Sequence, residues 1–375
     1  MLTFWDPQGM VFKFGDLEMT PTLVEIVGLT RLPYLDKDLI YTRAHSSTKF
    51  LKIIGMDLED RMGCLDQSWV PLDFLFERFV RPTGYETFVD EFSISYDSWK
   101  KRRPIVFDIA LLGLLVFPLE GRHISTRLGS IAFALFHDKH SSKVTLVPTI
   151  LAEIYRALTR IRQGGRFFEG SNLLLQLWMM EHLHPATMFE KDVIDRCLRD
   201  RVKCIDHRMT FDKFPLPLGV QAWVDYLGSL TEEKVLWSYL WIDLDVILAG
   251  SRVQDFLVLI GLWCTRPYTP ARMMRQLGRR QEVPYIPDSR DFIREFDTMP
   301  HREVDIQTYW RHAMKMGRDT LAADPNSPGY THEYFIWLQS TQRGVSIPLP
   351  RHVRGVFDEE VTSLILLRQL MDRFT

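Results

Sequence analysis

Apolar residues recur at helical spacing from Pro148 to about Ile161. Ile150, Leu151, Ile154, Ala157, Leu158 and Ile161 share one face, and Arg156 and Arg160, four apart, mark the other. This predicts an amphipathic helix that Gly164-Gly165 ends. After Gly170 and Ser171, Leu173 to Leu183 is apolar nearly all round, the pattern of a central helix. Near the start, Val11-Phe12-Lys13-Phe14 and Leu17-Glu18-Met19 flank Gly15-Asp16, which predicts a two-residue hairpin. A helix should follow at once. Thr22 with Glu25 three residues on fits a capping box, Pro21 suits the entrance, and Leu23, Ile26 and Val27 give one apolar face.

Other stretches follow the same rules. Trp69 to Phe79 reads as helical. Lys100-Lys101-Arg102-Arg103 precedes Pro104 and the most apolar stretch, Ile105 to Leu119, which contains Asp108 and Gly113. That stretch is shorter than the ~20 residues of a membrane span and reads as a buried helix. Thr231 with Glu232 and Glu233 marks another helix start, Val235 to Leu248 is rich in Trp and aliphatics, and Phe256 to Cys264 adds a further core segment. Asp324 to Gly329 reads as a turn or short linker. A last helix opens at Asp358, Glu359 and Glu360 and carries Val361, Leu364, Ile365, Leu370, Met371 and Phe374. The expectation is a mainly α fold: a large helical globular domain over residues 1–340 with a small N-terminal β-hairpin, and a C-terminal extension over 341–375 with an amphipathic helix.

Composition changes this picture little. Hydrophobic residues at 46% and charged residues at 25% are an ordinary globular balance, and a formal net charge of -2 leaves nucleic-acid or membrane contact to a local patch. Cys64, Cys197, Cys204 and Cys264 are too scattered for a secreted disulfide framework, so a reducing compartment, cytosol or nucleus, is expected.

Catalytic motifs are sparse. There is no Gly-rich phosphate loop, HExxH or Gly-x-Ser-x-Gly elbow. Ser-x-x-Lys occurs at Ser98 to Lys101 and at Ser46 to Lys49, two hits without partner motifs. His137 with His140 and His182 with His184 lack helical metal-pair spacing, and Cys197, Cys204 and His207 could join them only through the fold. Asp243 and Asp245 could bind a metal or do acid–base work in a hydrolase; separate salt bridges or caps are the blander alternative. No metal site and no cofactor is expected. Two basic clusters stand out. Lys100 to Arg103 resembles a minimal nuclear-import signal, set against a solvated face. Arg266, Arg272, Arg275, Arg279 and Arg280 have no acidic residue between them and could contact phosphates, with Tyr268 and Tyr285 near enough to stack. The competing reading is a structural set of arginines bonding carboxylates and helix ends.

Five segments in order resemble the plant mobile domain family. Phe12 to Leu23 resembles its hairpin running into a Thr-initiated helix, and Leu111 to Pro118 its central apolar segment. Glu169-Gly170-Ser171 through Leu174-Leu175-Gln176-Leu177-Trp178 to Leu183 is similar to its Leu-Gln-Leu-Trp core helix. Pro270 to Pro284 resembles its Arg-Gln-Phe/Leu-Gly-x-x-Gln-x-x-Pro signature, and Tyr334 to Leu338 its late Tyr-x-x-Trp element. The resemblance implies a plant origin and association with transposable elements or retrotransposon-derived genes. It further implies a nuclear, non-enzymatic interaction module that acts in transposon silencing beside a phosphatase-like protein or other silencing factors, with no membrane contact. The family's aminotransferase-like label implies a cofactor lysine, but no lysine here has a recognisable cofactor setting. The candidate contact surface, for a nucleic acid or an acidic partner, is Arg272, Arg275, Gln276, Arg279, Arg280 and Gln281.

Overall fold

The computed structural model describes residues 1–42, 46–55, 68–81, 83–92, 94–137, 143–183, 217, 219–238, 245–252, 255–286, 288–296, 303–317 and 329–341. Cys64, His140, His184, Cys197, Cys204, His207, Asp243, the turn from Asp324 and the C-terminal helix lie outside these residues.

Strands β1 (Trp5–Asp6), β2 (Val11–Phe14) and β3 (Leu17–Met19) form an antiparallel sheet in that order. The expected hairpin is its second half. Gly15 at φ 51 makes the left-handed step that the two-residue turn needs. Helix α1 (Leu23–Thr30) starts as expected: the Thr22 hydroxyl accepts from Glu25 N, and the Glu25 carboxylate accepts from Thr22 N. Then come β4 (Asp38–Leu39), α2 (Ser46–Ile54), β5 (Trp69–Pro71), α3 (Leu72–Leu75), α4 (Gly84–Phe92) and α5 (Tyr96–Leu111). Wide π-helical turns extend α3 and α5, and α5 runs straight through Pro104. The apolar stretch from Ile105 is thus the second half of a longer helix that contains the basic run, and it is only partly buried. Next are β6 (His123–Ser125), α6 (Leu128–Ala132), β7 (Val144–Thr145), α7 (Val147–Arg162) and α8 (Asn172–Leu183).

The expectation of a mainly α fold with one hairpin is overturned in the C-terminal half. After α9 (Val220–Gly228) the chain forms β8 (Val246–Ser251), β9 (Leu257–Ile260), β10 (Cys264–Tyr268) and β11 (Arg294–Glu295). It ends with α10 (Glu303–Arg311), β12 (Ala313–Gly317) and α11 (His332–Thr341). The sheets are small: β9–β10–β11 and β8–β12 antiparallel, β5–β6 antiparallel and β4–β7 parallel. Helix makes up about 50% and strand 18% of the described residues, so the fold is mixed α and β. The physical reason is burial. Every residue of β9 and β10 is buried: β9 is apolar on both faces and has no polar phase to separate a strand from a core helix, and the polar Thr265 and Arg266 of β10 are buried too and mark no solvent face. Likewise Thr231 opens a single 3-10 turn, Glu232–Lys234, in place of a helix, and Trp69–Pro71 is a strand ahead of the helix that begins at Leu72.

Helix α7 is the axis of the molecule. It packs against α1 and β1 on one side and β9 and β10 on the other. Across these contacts Trp5 Nε1 donates to Thr159 Oγ1 (3.1 Å) and Tyr155 OH donates to the Pro21 carbonyl (2.8 Å). The polar face expected at Arg156 is absent: Arg156 is buried and only Arg160 of the pair is exposed.

Helices α2 and α6 pack closely because Gly129 has no side chain. A Cβ there would lie 2.4 Å from Phe50 N and 2.6 Å from Phe50 Cα. Gly129→Ala is therefore expected to cost about 1–3 kcal/mol as an overpacked contact between backbones, read as a lower urea midpoint. A Cβ at Gly317 meets nothing within 4 Å, and Gly317→Ala should leave that midpoint in place.

Candidate functional site

The polar centre of the structure is Glu25, in the first turn of α1 and buried. Its Oε2 accepts from Thr22 N (2.8 Å) and Trp178 Nε1 (2.9 Å). Its Oε1 accepts from Gln276 Nε2 (3.1 Å) and contacts His182 Nε2 (3.0 Å). The other His182 nitrogen meets the Leu236 carbonyl at 2.6 Å. One carboxylate thus joins α1, two residues one turn apart on α8, the segment at residue 236 and the Arg-Gln-Leu-Gly segment. His182 is a core histidine within this network.

The Arg-Gln-Leu-Gly segment leaves β10 through the 3-10 turn Pro270–Arg272 and closes on itself: Arg279 N bonds Met274 O, and Gly278 supplies a φ of 66. Arg272 is buried, with Nη2 on Glu18 Oε1 at 2.7 Å. Gln276 is buried, accepts from Thr20 N (3.0 Å) and donates to Thr20 O (2.9 Å), so it reads the backbone at the end of β3 like a neighbouring strand. Arg279 is buried and donates to Gly317 O. Gln281 is buried and donates to the carbonyls of Ala271 and Glu282, while its backbone bonds Gly329 O and Thr331 N. Arg275 is half-buried between Trp237 (3.9 Å from guanidinium to ring centroid) and Tyr330 (4.9 Å), and it pairs with Glu232. Burial lowers the Arg275 pKa, and Glu232 opposes that. Arg280 is exposed. Of the six residues expected to form a contact surface, the structure brings five together as interior and half-interior fastenings and leaves Arg280 facing solvent.

The remaining candidates are dispersed. Arg266 is buried against Glu295, and Tyr268 is buried with its hydroxyl near Leu23 N; Tyr285 is exposed. Asp245 is exposed at the head of β8. Of the Lys100–Arg103 run, Arg102 Nη1 donates to the carbonyls of Lys52 and Ile53 at the end of α2, and Arg103 Nε donates to Phe79 O. Among the described residues no three His, Cys, Asp or Glu side chains converge as a metal site would require. No described helix is long and apolar enough to cross a membrane.

A second buried ionic group lies on α7. Arg156 Nε bonds Glu153 Oε2 (2.6 Å), its Nη2 bonds Glu169 Oε2 (2.7 Å), and Arg160 reaches the same Glu169 oxygen. Glu153 Oε1 accepts from Trp263 N at 2.9 Å, so the group also holds the turn between β9 and β10. Burial disfavours the Arg156 charge, but the Glu153 and Glu169 carboxylates outweigh it and raise its pKa. Burial pushes the Cys264 thiol well up, which leaves it a packing group.

Sequence reading missed Glu18, Glu153 and Glu232 as partners and took Glu25 only as a cap. The one available signal was that Glu18, Glu25 and Glu153 sit among apolar residues, where an acid needs a partner.

Residues 2–339, nearly the whole chain, match a family model described as the plant mobile domain. No curated protein and no solved structure matches.

Proposed function

Because the chain belongs to the plant mobile domain family, which is transposon-associated, we propose that it is a non-enzymatic interaction module that works in the nucleus on transposable elements or their silencing. The observation that carries this reading is the distribution of exposed apolar residues. Eight large hydrophobic side chains are exposed among the described residues, and five of them fall in two short segments: Val283, Tyr285 and Ile286, and Phe335 and Ile336 of α11. The backbone bonds of Gln281 to Gly329 and Thr331 fasten the starts of these segments side by side. Clustered exposed apolar side chains beside a rigid scaffold are the usual mark of a protein-binding face. The family's signature residues support this reading from below: they anchor the loop that carries Val283 to Ile286. A phosphatase-like nuclear protein or another silencing factor is the class of partner proposed.

The test is capture by the tagged chain from plant nuclear extract, with and without nuclease, read by mass spectrometry. A recurring partner that survives nuclease and is lost by Tyr285→Ser/Ile336→Ser is expected. Partners that vanish with nuclease, or that the double variant retains, overturn the reading.

A further inference from the structure

The Lys100–Arg103 run serves neither the interior fastenings nor the apolar face. It occupies the first half of α5, which Ser95 caps through Ser98 N. At about 100° per residue Tyr96, Lys100 and Arg103 form one stripe that borders the buried Trp99 and Val106, and Lys101 lies about 100° round from Lys100 on the solvent-facing side. Three features separate this stripe from an ordinary solvated helix face.

First, its charge is not neutralised. Among the described residues, Lys100, Lys101, Arg102 and Arg103 form no ion pair, although Asp97 lies four residues before Lys101, where a surface helix would often pair them. Second, the arginines are held by carbonyls in place of carboxylates. Arg103 donates through Nε to Phe79 O at 2.7 Å and lies over Trp99, with its guanidinium 4.9 Å from the ring centroid. A guanidinium has five N–H donors, so Arg103 keeps its positive charge and its Nη donors in a fixed position. Arg102 is fixed by Lys52 O (2.9 Å) and Ile53 O (2.8 Å). Third, an aromatic ring stands exposed in the same stripe. Tyr96 is 51% exposed, yet its ring is braced by Tyr85 (5.0 Å, edge to face) and Trp99 (5.7 Å). Just over one helical turn, about 6 Å along the axis, separates Tyr96 from Lys100.

We propose that this face of α5 binds single-stranded nucleic acid, with Lys100, Lys101 and Arg103 on the phosphates and a base stacked on Tyr96. Un-neutralised cations placed by backbone contacts supply the phosphate term, and a pre-positioned ring accepts any base with little ordering cost. An acidic peptide or an anionic membrane would use the charges and leave the braced ring unexplained. The proposal does not rest on the protein-partner reading, since the two faces share no residue.

Fluorescence anisotropy of the full chain with labelled 20-nucleotide oligo-dT and oligo-U, at 50 and 200 mM KCl, tests it. Binding at 50 mM that weakens with salt is expected. Lys100→Ala/Lys101→Ala should weaken it at least tenfold and reduce the log–log salt slope by about 1.4, twice the per-phosphate value for single strands. Tyr96→Ala should weaken it about fivefold or more and leave the slope unchanged. Arg280→Ala, on the other basic segment, should have no effect. All three sites are exposed, so the variants should melt with the parent chain. Absence of binding at 50 mM, binding untouched by the lysine pair, or loss on Arg280→Ala each overturns the proposal. So does wild-type binding to phosphatidylserine vesicles without binding to either oligonucleotide. Nuclease-resistant partner capture by the lysine-pair variant is expected to match the wild type, which keeps the two readings separable.

Discussion

Glu25→Ala is expected to leave the protein largely unfolded or aggregated at 37 °C. This carboxylate accepts from Thr22 N at the N-cap of α1, from Trp178 Nε1 on α8 and from Gln276 Nε2 in the segment after β10, and it touches His182 Nε2, also on α8. Removing it leaves buried N–H groups without acceptors, each costing about 1–3 kcal/mol. Their sum is comparable with the whole stability of a typical domain, about 5–15 kcal/mol. Glu25→Gln separates charge from shape. The amide fills the same space but offers an NH2 where donors already point, and a loss of about 3–5 kcal/mol is expected. The cap alone is worth less: Thr22→Ala, which removes the other half of the capping box, should cost about 1 kcal/mol. Urea denaturation followed by far-UV circular dichroism ranks the three. Glu25→Gln within about 1 kcal/mol of the parent, the ordinary size of a single hydrogen bond, would show that the convergence carries no energy of its own.

Arg156→Met should be nearly as damaging, at about 3–5 kcal/mol, because it strands the buried Glu153 charge. Arg160→Ala removes the neighbouring arginine from the same Glu169. Its side chain is half exposed, and screening by water limits the expected loss to about 1 kcal/mol. The contrast is sharp because the two residues occupy what the sequence presents as one polar face. Glu153→Gln combined with Arg156→Met should recover part of the loss, since no buried charge then lacks a partner. Equal losses for Arg156→Met and Arg160→Ala would place both on the surface.

These cases show which parts of the structure are legible in the sequence. The hairpin at Gly15-Asp16, the Thr22–Glu25 capping box and the two helices around Ile154 and Trp178 rest on signals within a few residues, and the structure has them. Strands β8 to β10 are not legible in that way. They are short and buried, and β10 contains Pro267, a residue that argues against a strand. It is tolerated because β11 pairs only with Cys264 and Thr265 and leaves the rest of that edge open. The Arg266–Arg280 cluster left a phosphate-contacting surface and a structural set of arginines both open for a related reason. A run of arginines without neighbouring acids looks like a surface, but Arg272 meets Glu18 from 254 residues away, and Arg275 meets Glu232 from 43 away. Local charge pattern cannot register partners at that separation. Lys100–Arg103 shows the converse: a run open to reading as a solvated face lies on a helix, and two of its members are anchored to backbone carbonyls.

The central claim is that Gln276 fastens its segment to the buried Glu25 carboxylate of α1, and that its neighbours Arg272, Arg275, Arg279 and Gln281 work as structure beneath the proposed protein-binding face. A double-mutant cycle between Glu25 and Gln276, 251 residues apart, tests it most directly. Urea midpoints of Glu25→Gln, Gln276→Ala and the double variant would give the coupling. The account predicts non-additivity of about 1–3 kcal/mol, as for residues in one buried hydrogen-bond network. Losses that add within about 0.5 kcal/mol would contradict it, because residues without a shared contact behave in that way.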